Sequence, residues 1–411
     1  MKYGLIGEKL GHSFSKNVHS KIADYEYELC EIAKDDLDGF MKSRDFCGIN
    51  VTIPYKEAVI KHLDFVSEEA KEIGAVNTVV NKNGKLYGYN TDFYGLKSLI
   101  EKNDIEICGK TALILGSGGT SKTANAVLKS LGVKEIFTVS RNGGEGYITY
   151  EEAYSKNAQV IINTTPVGMY PKTNDQPIKL DSFNNLEAVV DVVYNPLKTK
   201  LIIDAQSRGI KAAGGLYMLY AQAVKAAEIF CNKEIKADVF NEILKEKQNI
   251  VLIGMPSCGK TTLGKMLAEG FNKKFIDTDE EIIKKTGITI PEIFEKHGEE
   301  YFRNLESEVI KELSQNQSLV IATGGGAILR RENIELLKQN GKIIFIDRPL
   351  DLLITTLDRP LSRNRELLEE RYFERYATYC FSCDVRINAD SDINTNLERV
   401  KEGFLNENFS Y

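Results

Sequence analysis

Gly116-Ser117-Gly118-Gly119 and Gly254-Met255-Pro256-Ser257-Cys258-Gly259-Lys260-Thr261 are two glycine loops built on one local plan. Each follows a short apolar run that reads as a strand, 111–115 and 250–253, and each opens into a helical pattern. A strand that turns sharply into a helix N-terminus aims backbone N–H groups at an anion. The first loop suits the pyrophosphate of a dinucleotide. The second, with its Lys and Thr, suits a nucleoside triphosphate and Mg²⁺. Two such loops predict two reactions, and the alternation of strand-like and helix-like segments around them predicts a parallel α/β architecture.

At 411 residues the chain is long enough for two or three domains with full cores. Apolar residues at 42% and charged residues at 27% put it in the ordinary globular range. A net charge of −6 argues against nucleic acid or an anionic membrane as the main partner. The chain opens on a strand-like MKYGLIG without a basic-then-apolar signal segment, and no apolar run approaches a bilayer-spanning length. Seven scattered cysteines point to a reduced, cytoplasmic setting. Cys380 and Cys383 form a CxxC without a second pair, which reads as incidental, and four unclustered histidines make a poor case for a transition metal.

Strands are expected at 3–6, 25–29 and 48–53, then at 135–140, 159–162 and 188–193 beyond the first loop, with helices over 216–230 and 238–247. The polar run Lys245-Glu246-Lys247-Gln248 gives way abruptly to Asn249-Ile250-Val251-Leu252-Ile253, which marks the domain boundary. No internal repeat or low-complexity tract is evident.

Ser121 stands where a dinucleotide fingerprint has its third small residue, and the following strand ends in Ser140-Arg141-Asn142. An acidic residue there would accept a ribose 2′-hydroxyl, whereas Arg141 favours a 2′-phosphate and hence NADP(H). Upstream stand Tyr3-Gly4-Leu5-Ile6-Gly7, His12-Ser13-Phe14-Ser15, Asn50-Val51-Thr52-Ile53-Pro54-Tyr55-Lys56, Gly74-Ala75-Val76-Asn77-Thr78 and Gly88-Tyr89-Asn90-Thr91-Asp92. Downstream stand Ile162-Asn163-Thr164-Thr165-Pro166-Val167-Gly168-Met169, Asp191-Val192-Val193-Tyr194-Asn195-Pro196 and Gly214-Gly215-Leu216-Tyr217-Met218-Leu219, with Gln222 after them. Together these motifs, in order over 1–245, resemble the shikimate dehydrogenase family.

The residue types suit that chemistry. A polyhydroxy acid needs hydroxyl and amide partners, which Ser13, Ser15, Thr52, Asn77 and Gln222 can supply. Ketone reduction needs a proton donor, and Lys56 with Asp92 are of the right types. The plainer readings are a solvated Lys56 and an Asp92 that caps the helix after it. The resemblance implies that Lys56 is the principal acid/base, that Asp92 shares its proton, and that Tyr194 joins the substrate site. It further implies cofactor contacts from Gly116, Ser117, Gly118, Gly119, Ser140, Arg141, Asn142, Thr164 and Gly215. Met218 reads equally as core packing or as a contact under the nicotinamide. Departures from the family pattern are Lys16 after the second serine, Ser140 and Asn142 around Arg141, and no second basic residue in the stretch that follows.

In the second loop Lys260 would reach the β- and γ-phosphates and Thr261 would ligate Mg²⁺, with Gly254, Ser257, Cys258, Gly259 and Thr262 completing the nucleotide cradle. Ser257 fits a position usually held by Gly provided the backbone there has negative φ. Asp277 and Asp279 are expected at the end of the next strand, on one face, one of them suiting the Mg²⁺ hydration shell and the other the acceptor hydroxyl. A helix N-cap pair is the plainer alternative. Then follow Gly298-Glu299-Glu300-Tyr301-Phe302-Arg303, Glu306, Thr323-Gly324-Gly325-Gly326, Arg359-Pro360-Leu361, Arg375 and Tyr379. This set resembles shikimate kinase over 249–395. The resemblance implies that Asp279, Arg303, Arg375 and the backbone of Gly324, Gly325 and Gly326 hold shikimate, and that Arg359 comes from a lid. The stretch from Arg359 to Arg375 is short for that lid, Ser362 replaces a usual Leu, and Thr355-Thr356 stands where an Arg normally stacks on adenine.

The expected whole is a two-lobed α/β dehydrogenase over 1–245 followed by a P-loop kinase with a parallel sheet over 246–411. Within the dehydrogenase, 1–100 and about 216–245 form the substrate lobe and 101–215 a Rossmann cofactor lobe. Shikimate is the substrate the two would share. A catalytically degenerate half, or a dehydrogenase acting on quinate, are the alternatives.

Overall fold

The computed structural model of the chain describes residues 2–11, 14–355 and 364–406. Ser13, Thr356, Arg359 and Ser362 lie outside the described residues. The chain divides into two compact units. Among the described residues, the first comprises those up to Asn195 together with Asp204–Ile243, and the second Pro196–Ile203 and those from Leu244 to Asn406.

The first unit holds two sheets. Strands β1 (Tyr3–Gly7), β2 (Tyr27–Glu31), β3 (Gly48–Val51), β4 (Phe65–Val66), β5 (Thr78–Lys82) and β6 (Lys85–Tyr89) run in the order β2-β1-β3-β5-β6-β4. β1 is parallel to β2 and β3, but β5 is antiparallel to both β3 and β6, so this sheet is mixed. Asn83 and Gly84, both left-handed at φ 52° and 81°, close the two-residue hairpin between β5 and β6, a turn that Asn-Gly favours. β2 begins two residues later than expected. Tyr25 is held outside it by a 2.7 Å hydrogen bond to His19 Nδ1 and by packing on Tyr3, while Tyr27 turns into the core.

Strands β7 (Thr111–Leu115), β8 (Glu135–Val139), β9 (Val160–Asn163), β10 (Ala188–Asp191) and β11 (Lys211–Gly214) form the second sheet, parallel throughout, in the order β11-β10-β9-β7-β8. β9 and β10 are buried along their whole length, as a parallel sheet covered on both faces requires. The helix Thr91–Lys102 packs on the helix Leu216–Cys231 so closely that a Cβ at Gly95 would lie 2.6 Å from the carbonyl of Met218. That crossing carries Gln222 to the first turn of the helix Thr91–Lys102.

The second unit is built on β12 (Asn249–Ile253), β13 (Lys274–Asp277), β14 (Leu319–Ala322), β15 (Gly341–Asp347) and β16 (Val385–Asn388), all parallel, in the order β13-β14-β12-β15-β16. The central β12 is fully enclosed and anchors the core. Strand character ends at Asp277, earlier than expected, because Asp277 caps the helix Thr278–Thr286 by accepting from Asp279 N. The long helix Ile290–Ser314 is interrupted at Gly298, whose backbone is non-helical at φ 82° and ψ 174°. Among the described residues no helix is long and apolar enough to cross a membrane.

Candidate active sites

In the first unit Lys56, just after β3, and Asp92, in the first turn of the helix Thr91–Lys102, meet at 2.5 Å between Nζ and Oδ2. Asn90, not Asp92, caps that helix by accepting from Phe93 N. Asp92 is therefore left to face Lys56, and a carboxylate in a helix's first turn is favoured by the N–H groups there. Beside the pair, Asn77 is buried and its amide has one orientation. Oδ1 accepts from Thr91 N at 2.7 Å, Thr91 Oγ1 at 3.2 Å and Thr78 Oγ1 at 3.1 Å. Nδ2 is thereby turned toward Gln222 Oε1, 3.5 Å away. Thr91 Oγ1 also reaches Gln222 Oε1 at 3.3 Å. These bonds tie the Asn77 amide and the Gln222 carbonyl oxygen into one polar cluster beside the pair, of the amide and hydroxyl types that a ligand rich in oxygen atoms needs. Thr91 was not among the expected site residues. Its signal was its place directly before Asp92, where a hydroxyl reads most simply as capping.

Thr52 is half-buried and packs against Gly7, where a Cβ would stand 2.7 Å from Thr52 Cγ2. Ser15 opens the helix Ser15–Ile22, and Tyr194 is half-buried, with burial pushing its phenol up and its ring 6.4 Å from that of Phe14.

The first glycine loop joins β7 to the helix Gly119–Ser130. Space is open above Gly118 and Gly119, where an added Cβ would meet nothing within 4 Å. An exposed helix N-terminus with clear space over it fits a pyrophosphate. Ser121 is accommodated by donating to Gly118 O at 2.6 Å, and Thr164 donates to Leu115 O at 2.7 Å under the loop. Ser140 donates to Gly143 O at 3.1 Å, while Arg141 and Asn142 are exposed beyond β8. Gly215 and Met218 both have close packing roles. A Cβ at Gly215 would fall 2.2 Å from Val192 O, and Met218 is 8% exposed inside the core.

In the second unit Lys260 is buried and its Nζ donates to the carbonyls of Gly254 and Met255, both at 2.9 Å. Gly259 has φ 101° and Ser257 φ 63°, so the serine does sit in the left-handed region, against expectation. Cys258 is buried beneath the loop and Thr262 is exposed. Thr261 Oγ1 donates to Asp277 Oδ2 at 2.9 Å, a hydroxyl and a carboxylate oxygen side by side, as a hard divalent cation prefers. Asp277 and Asp279 do not share a strand face; the carboxylates come from a strand end and a helix turn, yet both reach the same cavity.

That cavity, of about 730 Å³, runs from Ser257–Thr262 past Asp277 and Asp279 to Arg303, Gly324–Gly326 and Arg375. Arg375 is buried and donates to Gly325 O at 3.2 Å, as does Tyr379 at 2.5 Å. Arg303 lies flat against Gly326, where a Cβ would meet its guanidinium at 2.3 Å. It is also ion-paired, with Glu306 at 2.8 Å and Glu299 at 3.1 Å. Burial pushes the Glu306 carboxyl up, and the neighbouring Arg303 pulls it back.

The family model for the shikimate dehydrogenase substrate binding domain matches residues 5–79, and that for shikimate kinase matches residues 256–403. A shikimate dehydrogenase (NADP(+)) of Clostridium beijerinckii is 42% identical over 245 residues, covering 56% of this chain and 91% of that protein. Among solved structures, a chorismate mutase/shikimate 5-dehydrogenase fusion protein from Clostridium acetobutylicum is 38% identical with a TM-score of 0.56, over 59% of this chain and 94% of that one. Shikimate 5-dehydrogenase from Thermus thermophilus, in complex with NADP(H) and shikimate, is 30% identical with a TM-score of 0.53, over 57% and 95%. The chain thus belongs to the shikimate dehydrogenase family and carries, in the same polypeptide, a shikimate kinase domain.

Proposed function

We propose that the chain reduces 3-dehydroshikimate to shikimate with NADPH and phosphorylates shikimate to shikimate 3-phosphate with ATP and Mg²⁺. One observation carries the reading: each unit joins a phosphate-ready glycine loop to a separate cluster suited to a hydroxylated acid. NADPH, when bound, supplies the hydride, and ATP the phosphoryl group. In the first unit Lys56 donates a proton to the carbonyl oxygen as it gains negative charge, and Asp92 holds and then restores the Lys56 ammonium. Asn77 and Gln222 orient the ring hydroxyls, and Ser13, Ser15, Thr52 and Tyr194 serve as further substrate-binding residues. Gly116–Gly119 take the pyrophosphate and Arg141 the 2′-phosphate.

In the second unit Lys260 and the loop N–H groups cradle the nucleotide phosphates, and Thr261 with Asp277 hold Mg²⁺. Asp279 orients the acceptor hydroxyl, Arg303 and Arg375 take the carboxylate, and Arg359 closes over the transferred group. The dehydrogenase occupies 1–245 and the kinase 246–411, and the free cysteines suit a cytoplasmic setting.

Full-length protein given 3-dehydroshikimate, NADPH, ATP and Mg²⁺ is expected to form shikimate 3-phosphate, identified by mass, with stoichiometric loss of NADPH. Arrest at shikimate would leave the second unit as a binding module. Failure to oxidise NADPH would sink the assignment of the first, and quinate dehydrogenation would then be tested in its place.

A further inference from the structure

Arg303 carries two carboxylates of opposite character, both from its own helix. Nη1 donates to Glu306 Oε2 at 2.8 Å, and Glu306 is wholly buried. Nε and Nη2 donate to a single oxygen of Glu299, at 3.3 and 3.1 Å, and that side chain is 43% exposed. Nε and Nη2 form the side-on fork through which a guanidinium takes a carboxylate by two parallel bonds. Glu299 fills the fork with one oxygen only, which makes it a weaker occupant than a carboxylate presented face-on.

We propose that Glu299 is a built-in stand-in for the carboxylate of the acid substrate: it occupies the Nε/Nη2 fork of Arg303 in the free enzyme and is displaced when the substrate binds. The inference rests on the reading that Arg303 helps hold that carboxylate. Asp279, Glu280 and Glu306 already line the cavity. An anion arriving beside Glu299 as well would meet one more like charge, so departure of Glu299 relieves repulsion as well as freeing the fork.

The backbone makes that departure cheap. Gly298 interrupts the helix immediately before Glu299, which therefore stands in the first turn of the helical run that follows. The N–H groups of that turn favour a carboxylate, so the side chain keeps a favourable setting after it releases Arg303. Glu306 cannot play this part. It is enclosed, with Oε1 only 2.5 Å from where a Cβ on Gly324 would be.

The test is the kinase reaction of the full-length chain without NADP(H), read as ADP formation against shikimate concentration at saturating ATP and Mg²⁺. Glu299→Gln and Glu299→Ala are each expected to lower the KM for shikimate about two- to five-fold, the range of a half-exposed ion pair, with no rise in kcat. A KM that stays the same or rises in either variant overturns the inference, since Glu299 would then be a bystander or would hold Arg303 in its working position. Arg303→Ala, run alongside, is expected to raise KM by about ten-fold or more. An unchanged KM there removes the reading on which the inference rests. Absence of shikimate-dependent ADP formation in the wild type would instead remove the kinase assignment itself.

Discussion

Lys56 and Lys260 are both cations at the centre of a site, and the fold treats them in opposite ways. Lys56 is part-exposed and donates to a carboxylate, Asp92, at 2.5 Å. Lys260 is buried and donates to two carbonyls of its own loop at 2.9 Å each. A carboxylate can take up and return a proton, whereas a backbone carbonyl can only accept a hydrogen bond. The first arrangement suits acid–base work and the second suits a fixed positive charge. The loops differ in the same sense. The second holds its own lysine against its own carbonyls, while the first leaves open space over Gly118 and Gly119, and the Lys56–Asp92 pair comes from another part of its unit.

The sharpest way to break this comparison is to remove each lysine in turn. Lys56→Ala is expected to slow NADPH oxidation with 3-dehydroshikimate by ~10²–10⁴-fold, the usual worth of a positioned acid, and to leave ADP formation unchanged. Lys260→Ala should do the reverse. Loss of both activities from either change would mean that the two sites are not independent.

Gly326→Ala is expected to have the next largest effect. Its Cβ would collide with the Arg303 guanidinium, and a displacement of that size costs on the order of 10²-fold in rate. Kinase kinetics with normal NADPH oxidation in the same sample would confirm a local cause, whereas an unaffected kinase would show that Arg303 can move freely.

A smaller effect contrasts the units in stability. Burial pushes the imidazole of His19, stacked on Tyr27, down to about 3. The unfolded chain then binds more protons than the folded one between that value and the ordinary ~6.5, so stability rises with pH across the window. Taking the pH from 6.5 to 5.5 should cost the first unit about 1 kcal/mol through this group. Urea midpoints at both pH values should show the loss in wild type and a flatter response in His19→Gln; equal slopes would mean that His19 is not the titrating group.

The smallest change expected is a gain. Ser257 has φ 63°, a region that costs a non-glycine residue ~1 kcal/mol or more. Ser257→Gly should raise the thermal midpoint of the second unit by the equivalent of roughly 0.5 kcal/mol, after the entropy that glycine adds to the unfolded chain. A lower midpoint would show that contacts of the serine outweigh the backbone term.

Much of both sites was legible in the sequence because their residues sit in short local motifs. The nucleotide loop, the carboxylates at 277 and 279, and the Lys56 and Asp92 motifs all fall within a few residues of a strand end, and the strands themselves are marked by apolar runs. What escaped was decided at a distance or by backbone conformation. The Asn83-Gly84 hairpin was overlooked inside a region read as parallel, although the dipeptide itself signals it. Thr91 gains its importance only because Gln222 arrives beside it on a helix that crosses at Gly95. Gly215 lets a helix start against Val192 and Met218 packs into the core, roles that depend on neighbours distant in the chain. Ser257 looked neutral because no residue pattern reports the sign of φ.

The sequence alone determined that this protein has two α/β units with two phosphate-binding loops, and which residue types could do the chemistry. Apolar periodicity and glycine spacing are local, and local order follows from them. Only the tertiary structure decided how those groups are paired: that Asp92 faces Lys56 because Asn90 does the capping, that Asn77 turns its amide N–H toward Gln222, and that Arg303 rests between Glu299 and Glu306. Hydrogen-bond direction and charge pairing depend on which elements the packed core brings within about 3 Å of each other, and that proximity is not written in any one stretch of chain.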